Sequence, residues 1–409
     1  MRTLSSRRDN PRVMFLIAVA IGVLLVALAH LVVGWVLSNG LYRSALAVQS
    51  RPRELGVRVR GVSASEIVLE APVARQDIGH PGTLGLVWGD GHGLLGEVLS
   101  VDGMRVTRQF TPGAGARTQG SRQRSAGLGT LGSLPPVCEG DLDGCAPVEI
   151  DPYVYPHDPS DVGLAFENVA YDSPLGPTAA WLVPSEGAGR WAVLCHGWTA
   201  EKRELIRMLP SFHRRGYSTL VIDYRNDPGA PGDSSGRYRF GLSEWEDLEA
   251  AVGLTQQRGA DHLVVGGCST GAALVMAFLE RSDLVDEVVG VVLDAPNVIL
   301  AEAVRHGTRE RRVTPLMVEF GLWVADLRWK VDWEATNYVQ RADQILRMPT
   351  LVFHGTSDQV IPISVSRQLE TRAPKVVELV ETPAAGHVMS WNADPGRYEG
   401  YLTRFLDRL

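Results

Sequence analysis

The sequence contains few lysines, few cysteines and no recognisable metal or nucleotide motif. Lysine occurs only at Lys202, Lys330 and Lys375, so arginine carries most of the positive charge, which we interpret as coding bias rather than function. No cluster of His, Cys and Glu has metal-ligand spacing, and no glycine-rich phosphate loop is present, so we expect neither a metal nor a cofactor. The formal net charge of -7 argues against a nucleic-acid partner.

The four cysteines fall into two kinds. Cys195 and Cys268 lie inside apolar runs, where a thiol usually behaves as a small buried hydrophobe. Cys138 and Cys145 enclose a short polar loop with no metal-ligand partners nearby. We predict a local disulfide between them, which implies an oxidising compartment, and two free surface thiols are the alternative.

One long hydrophobic run lies near the N-terminus. Residues 13–37 carry no formal charge, and at about 1.5 Å per residue they can cross a hydrocarbon core of roughly 30 Å. Four arginines precede the run within residues 1–12, which favours a cytoplasmic N-terminus, and Trp35 and Tyr42 suit the membrane interface. We therefore predict a single-pass transmembrane helix in the cell membrane, with the remainder of the chain extracytoplasmic.

Two observations leave alternatives open for this segment. The sequence Ala45-Leu46-Ala47 resembles a signal-peptide cleavage site, although the apolar run exceeds the usual 7–15 residues of a signal core. Arg43, Arg51 and Arg53 on the far side oppose the predicted orientation. We favour an uncleaved anchor.

The next part of the chain predicts a small separate domain. Short strand-like runs separated by glycine and aspartate turns fill residues 51–110 and indicate an antiparallel sheet, in which the fourth strand begins at Gly96. Residues 111–150 are predicted to form a linker or exposed loop, since much of the segment is rich in Gly, Ser, Arg and Thr and lacks hydrophobic periodicity.

From Asp151 the pattern changes to strands alternating with helices. This pattern predicts an α/β fold over residues 151–409, in which helices flank a mainly parallel sheet. The segment at about 297–347 is too long for an ordinary connection and is predicted to form a helical cap. We expect most of the tryptophans at 323, 329 and 333 to pack within the cap itself.

The sequence Gly267-Cys268-Ser269-Thr270-Gly271 lies between a predicted strand and a predicted helix. A Gly-x-Ser-x-Gly in that context is a nucleophile elbow, a tight turn that presents the serine at the carboxyl end of the sheet. The amide of Thr270, at the helix N-terminus, faces any oxyanion formed beside Ser269. The similar pentapeptide around Ser234 follows no strand directly, and we interpret it as unrelated.

A serine nucleophile needs a base, and the base needs a third group to orient it. Asp358 and His387 each follow a predicted strand, in the chain order acid and then histidine, so both loops converge on Ser269. Asp294, at the end of another strand, is an alternative acid in a permuted arrangement. His196 is interpreted as a structural histidine.

Together these motifs resemble the α/β-hydrolase superfamily, in particular its esterase, lipase and S9-peptidase-like members. The resemblance covers Asp151 to Leu409 and implies Ser269 as nucleophile, Asp358 as acid and His387 as general base. The sequence His196-Gly197-Trp198-Thr199 resembles the family's oxyanion loop, which implies that the backbone amides of Trp198 and Thr270 form the oxyanion hole.

The expected function is therefore that of a membrane-anchored serine hydrolase. We expect cleavage of a carboxylic ester in a small-molecule or lipid-like acyl substrate, through an acyl-enzyme. A peptidase, an acyltransferase and a catalytically silent surface-binding protein are the alternatives, and the complete set of three catalytic groups argues against the last.

Overall fold

The computed structural model describes residues 11–47, 56–71, 78–79, 81–89, 91–113, 134–139, 145–309 and 313–409. Most of the predicted cytoplasmic N-terminus and residues 114–133 and 140–144 of the predicted linker lie outside this set. The described residues form an N-terminal helix, a six-stranded antiparallel sheet and an eight-stranded, mainly parallel sheet.

The N-terminal helix, α1, spans Pro11–Leu41. In the described ranges it is the one helix long and apolar enough to cross a membrane. It continues beyond the predicted end at residue 37 because its last turn is buried in the protein, including Ser38 and Leu41. A π-helical turn at Tyr42–Leu46 follows, and the amide of Tyr238 donates to the Leu46 carbonyl at 2.9 Å.

The small sheet has the strand order β1-β2-β5-β4-β3-β6 and is antiparallel throughout, as predicted. Its strands are β1 Arg58–Val62, β2 Glu66–Glu70, β3 Leu84–Trp88, β4 Gly91–Asp102, β5 Arg105–Pro112 and β6 Glu149–Asp151.

Two boundaries of this sheet correct the prediction. Strand β4 begins at Gly91 rather than Gly96, since Gly91 already pairs with Trp88 at the end of β3. Strand β6 lies in the segment predicted as linker, and the buried Val148 before it pairs with Val57. Cys138 and Cys145 form a disulfide, as predicted.

The large sheet has the order β14-β13-β12-β11-β9-β10-β8-β7. Strand β8 is antiparallel to both of its neighbours, and the other pairs are parallel, which confirms the predicted α/β fold. The strands are β7 Glu167–Ser173, β8 Gly176–Val183, β9 Arg190–Cys195, β10 Ser218–Ile222, β11 His262–Cys268, β12 Val288–Asp294, β13 Thr350–Gly355 and β14 Val377–Thr382.

Helices cover both faces of this sheet. Val265 of β11 belongs to the hydrophobic cluster on one face and Val264 to the cluster on the other, so the strand is buried on both sides. Such burial explains why the strand is a continuous apolar run. The helices are α2 Leu209–Arg214, α3 Trp245–Gln257, α4 Thr270–Arg281, α5 Leu300–Arg309, α6 Pro315–Trp329, α7 Ala342–Ile345, α8 Ser364–Arg372, α9 Ser390–Ala393 and α10 Pro395–Leu406.

The helices α5, α6 and α7 lie between β12 and β13, where a helical cap was predicted. The Trp333 indole donates to the Leu322 carbonyl at 3.1 Å, so this tryptophan packs within the cap as expected. The expectation is wrong for Trp329, which stacks on Tyr42, and for Trp323, which is exposed. The reason is that α6 packs along α1, which leaves the cap's own core small.

Candidate active site

The turn from β11 to α4 holds Ser269 in a strained conformation. Its φ of 49° and ψ of -113° are unusual for a residue with a side chain, and such strain costs on the order of 1–3 kcal/mol. The flanking glycines are needed for steric reasons. A Cβ on Gly267 would lie 2.3 Å from the Gly271 carbonyl carbon, and one on Gly271 would lie 2.4 Å from the Cys195 oxygen.

The three side chains predicted to act together lie in one hydrogen-bonded chain. His387 Nδ1 lies 2.8 Å from Asp358 Oδ2, and His387 Nε2 lies 2.9 Å from Ser269 Oγ. Because a carboxylate only accepts, Nδ1 carries the proton and donates to Asp358, which leaves Nε2 to accept from the serine hydroxyl. Asp358 follows β13 and His387 follows β14, so the carboxyl ends of adjacent strands bring the groups together.

The Asp358 carboxylate is buried and fully engaged. Its Oδ1 accepts from the amides of Val360 at 2.8 Å and Ile361 at 2.9 Å. Burial raises the pKa of Asp358, but the attraction to His387 and the hydrogen bonds from His354 and His387 outweigh it, and the pKa lies well below its ordinary value. The group is therefore a carboxylate throughout the neutral pH range.

The loop after β9 brings backbone amides close to Ser269. The Gly197 amide donates to the buried Glu204 carboxylate at 2.7 Å, and a Cβ on Gly197 would lie 3.2 Å from Ser269 Cβ. In the described part of the chain, the amides of Trp198 and Thr270 have no backbone acceptor. Thr270 begins α4, where the first amides lack intrahelical acceptors. Both residues line the same cavity as Ser269 and His387.

His196 is buried beside this loop and is hydrogen-bonded to Gly197 and Asp227 rather than to Ser269. Its Nδ1 lies 2.8 Å from the Gly197 carbonyl and its Nε2 lies 3.0 Å from Asp227 Oδ2, so both nitrogens donate. Burial lowers its pKa, but the charge and hydrogen bond of Asp227 outweigh that effect and raise the pKa to about 9. The ring therefore holds the loop as a cation, as a structural histidine would.

Three other acidic side chains lie near these loops, namely Asp294, Asp223 and Asp227. The side chain of Asp294, the alternative acid, accepts from the Tyr398 hydroxyl at 3.2 Å, whereas His387 Nδ1 pairs with Asp358. Asp223 and Asp227 place ligand atoms within 4.8 Å of one another and of His196, a spacing that could hold a metal ion. In this structure, however, Asp223 pairs with Lys202 and Asp227 with His196.

The cavity above Ser269 has a volume of about 670 Å³. Its walls include residues that sequence reasoning missed, among them Glu204 and part of the N-terminal helix. No local sequence pattern predicts a role for Glu204, because its hydrogen bond with the Gly197 amide forms only in the folded loop. The α1 residues on the cavity wall are Val36, Leu37, Gly40 and Leu41.

The sheet order, the strained serine turn and the converging loops define a protein of the α/β-hydrolase class. The profile of the alpha/beta hydrolase family matches residues 192–399, and the chain belongs to that family. Membership supports hydrolase chemistry. A second profile, that of a domain of unknown function (DUF8805), matches residues 58–125, which include strands of the small sheet.

Similar proteins include two curated bacterial proteins and one solved structure. The uncharacterized protein YqkD of Bacillus subtilis is 25% identical over 225 residues, which cover 53% of this chain and 71% of YqkD. The uncharacterized protein Rv2307c of Mycobacterium tuberculosis is 27% identical over 214 residues, which cover 51% and 66% of the two chains. The structure of the Pyrococcus furiosus esterase PF2001 superposes with a TM-score of 0.51 at 19% identity, covering 62% of this chain and 94% of that one, a likeness of fold.

Proposed function

We propose that this protein is a serine hydrolase that cleaves a carboxylic ester with Ser269, His387 and Asp358. The observation that carries the proposal is the unbroken hydrogen-bonded chain from the Ser269 hydroxyl through the His387 ring to the buried Asp358 carboxylate. The strained backbone of Ser269 supports it, because strain of this kind concentrates at functional sites.

In the acylation step, Ser269 Oγ attacks the carbonyl carbon while its proton passes to His387 Nε2. Asp358 holds the Nδ1 proton and stabilises the imidazolium that forms. The free amides of Trp198 and Thr270 donate to the tetrahedral oxyanion. The carbon–oxygen ester bond then breaks, and His387 gives its proton to the departing alcohol.

The second half of the reaction repeats these roles with water. His387 removes a proton from water as the oxygen attacks the acyl-enzyme carbonyl. The bond to Ser269 Oγ breaks, the serine recovers its proton from His387, and the carboxylic acid leaves. The net change is one ester and one water converted to one acid and one alcohol.

The test is hydrolysis of a graded series of p-nitrophenyl esters by the wild-type chain and two alanine variants. Ser269→Ala should lower turnover by on the order of 10⁶-fold, since the nucleophile is lost. Ser234→Ala is the matched control, because Ser234 lies exposed on a loop within a pentapeptide of the same form. Equal activity of Ser269→Ala and wild type would contradict the proposal.

We further propose that α1 is retained as a membrane anchor and that the hydrolase domain is extracytoplasmic. The burial of Leu41 and Leu46 in the main hydrophobic core supports retention, since cleavage after Ala47 would remove both residues. Protein extracted from membranes should have the mass of the chain with α1 attached. For orientation, a membrane-impermeant thiol reagent should label the reduced Cys138 and Cys145 on intact cells, and labelling only after lysis would reverse the topology.

A further inference from the structure

The helix proposed as membrane anchor also forms part of the substrate cavity. The cavity that contains Ser269 and His387 is bounded by the last turns of α1, through Leu37 and Leu41, and by α6, through Val318 and Leu322. An anchor that served only as a tether would have no reason to reach the catalytic cavity.

Helices α1 and α6 are packed closely, with glycine at two contacts. A Cβ on Gly34 would lie 2.7 Å from the Phe320 ring, and one on Gly321 would lie 3.0 Å from Leu37 Cβ. Small residues that let two helices approach are typical of helix pairs in membranes.

The polar contacts of the pair lie at its C-terminal end. The Trp329 indole and the Arg328 guanidinium donate to Ser38 Oγ at 2.9 and 3.2 Å. Arg328 also lies over the Trp35 ring at 3.5 Å. Arginine, tryptophan and the stacked Tyr42 at one level are typical of a membrane interface.

The outer face of α6 is exposed and carries three large apolar side chains beside the carboxylates of Glu319 and Asp326. Leu316, Trp323 and Leu327 are 68%, 52% and 53% exposed, and their spacing of seven and four residues places them on one face of the helix. This face adjoins the exposed apolar side chains of α1, such as Trp35 at 54%. The opposite face of α6, with Val318 and Leu322, lines the cavity.

The length of α1 sets the level of α6 relative to a bilayer. The 31 residues of α1 extend about 46 Å at about 1.5 Å per residue, whereas a hydrocarbon core of roughly 30 Å takes about 20 residues. If the first 20 or so residues cross the hydrocarbon core in the proposed orientation, the last ten or so, against which α6 packs, lie at the headgroup level of the outer leaflet. Exposed apolar side chains at that level are typical of a surface that contacts the membrane.

From these observations, and resting on the serine-hydrolase function proposed above, we infer that the substrate is an acyl ester of a bilayer lipid. The enzyme takes the lipid from the leaflet in which the outer face of α6 is embedded, and the acyl chain lies in the cavity against α1 and α6. The ester groups of membrane lipids lie at the boundary of headgroups and chains, which is the level of this cavity. Hydrolysis adds one water and releases a fatty acid and an alcohol.

The experiment compares a bilayer-borne ester with a soluble one, using the full chain reconstituted in phosphatidylcholine vesicles. The probes are 4-methylumbelliferyl oleate dissolved in the bilayer and p-nitrophenyl acetate in the water. The variant Trp323→Glu/Leu327→Glu puts two carboxylates on the outer face of α6, outside the cavity wall, and Val101→Glu is the control on an equally exposed apolar side chain of the small sheet.

The double variant should hydrolyse the oleate ester at least about tenfold more slowly than wild type, because the two introduced carboxylates oppose insertion of the outer face of α6 into the leaflet. Its acetate hydrolysis should match that of wild type, and Val101→Glu should change neither rate. Equal loss of both activities, or loss of neither, would overturn the inference. The inference would also be overturned if the wild-type protein were a dimer in detergent and the double variant a monomer, because a second copy of the chain would then cover the outer face of α6.

This design separates failure of the inference from failure of the proposed function. If acetate hydrolysis does not depend on Ser269, the hydrolase proposal itself is wrong. If it depends on Ser269 while the oleate rate is unchanged by the substitutions in α6, only the lipid inference is wrong.

In wild type, each methylene added to short-chain esters should raise kcat/KM by about fourfold while the cavity still accommodates it.

Discussion

Replacing Asp358 by asparagine should abolish most activity while leaving the shape of the site intact. The amide oxygen of the new side chain must face the Val360 and Ile361 amides, which both donate to Oδ1 at 2.8 and 2.9 Å. Its NH₂ group then faces His387 Nδ1, where the carboxylate oxygen stood at 2.8 Å. An NH₂ group donates, so Nδ1 must accept, and the ring proton moves to Nε2.

The consequence is a histidine in the wrong tautomer. With its proton on Nε2, His387 donates toward Ser269 Oγ across the 2.9 Å contact and cannot remove the hydroxyl proton. The loss of a correctly oriented base and of a carboxylate beside the imidazolium typically lowers turnover by on the order of 10⁴, or about 5 kcal/mol of transition-state free energy.

The assay is steady-state hydrolysis of p-nitrophenyl acetate, with the fold checked by circular dichroism. Asp294→Asn is the matched control, since Asp294 is a buried aspartate at the end of β12 and its side chain accepts from the Tyr398 hydroxyl. We expect this control to retain activity within about tenfold of wild type. A larger loss in Asp294→Asn than in Asp358→Asn would refute the assignment of the acid.

Two further predictions concern stability. Gly267→Ala should lower the free energy of unfolding by more than about 4 kcal/mol, because its Cβ would lie 2.3 Å from Gly271. The control Gly253→Ala in α3, whose Cβ would have its nearest neighbour at 3.9 Å, should raise the free energy of unfolding by about 0.5–1 kcal/mol. Equal thermal unfolding midpoints for the two variants would contradict this prediction. Burial raises the pKa of Asp294 to about 6, compared with a pKa of about 3.9 in the unfolded chain. The folded state therefore binds this proton more tightly, and the free energy of unfolding falls as the pH rises from 4 through 6. Asp294→Asn should remove roughly 3 kcal/mol of that fall, measured by urea denaturation at several pH values, and an unchanged pH dependence would show that another group is responsible.

Much of the hydrolase fold follows from local patterns in the sequence. Strand β11 is a short apolar run because both of its faces are buried, and the Gly-x-Ser-x-Gly after it marks the turn to α4. Loops after parallel strands converge at one edge of the sheet, so the sequence alone predicts that Asp358 and His387 lie close to Ser269.

Features that depend on contacts between distant segments could not be predicted. The packing of α1 on α6 requires Gly34 and Gly321 to meet, and neither glycine carries a local signal of its partner. For the same reason the tryptophans of α6 were expected in the cap core. Strand β6 is only three residues long, and it is defined by its pairing with β3 rather than by any alternation of its own.

Covalent labelling of the folded protein shows directly whether Ser269 is the nucleophile. A fluorophosphonate probe reacts with an activated serine, and mass spectrometry of the digested protein identifies the modified residue. We expect a single adduct on the peptide that contains Ser269, absent from Ser269→Ala and present in Ser234→Ala. Wild-type protein that is folded yet takes up no probe, or that carries the adduct on another serine, would contradict it.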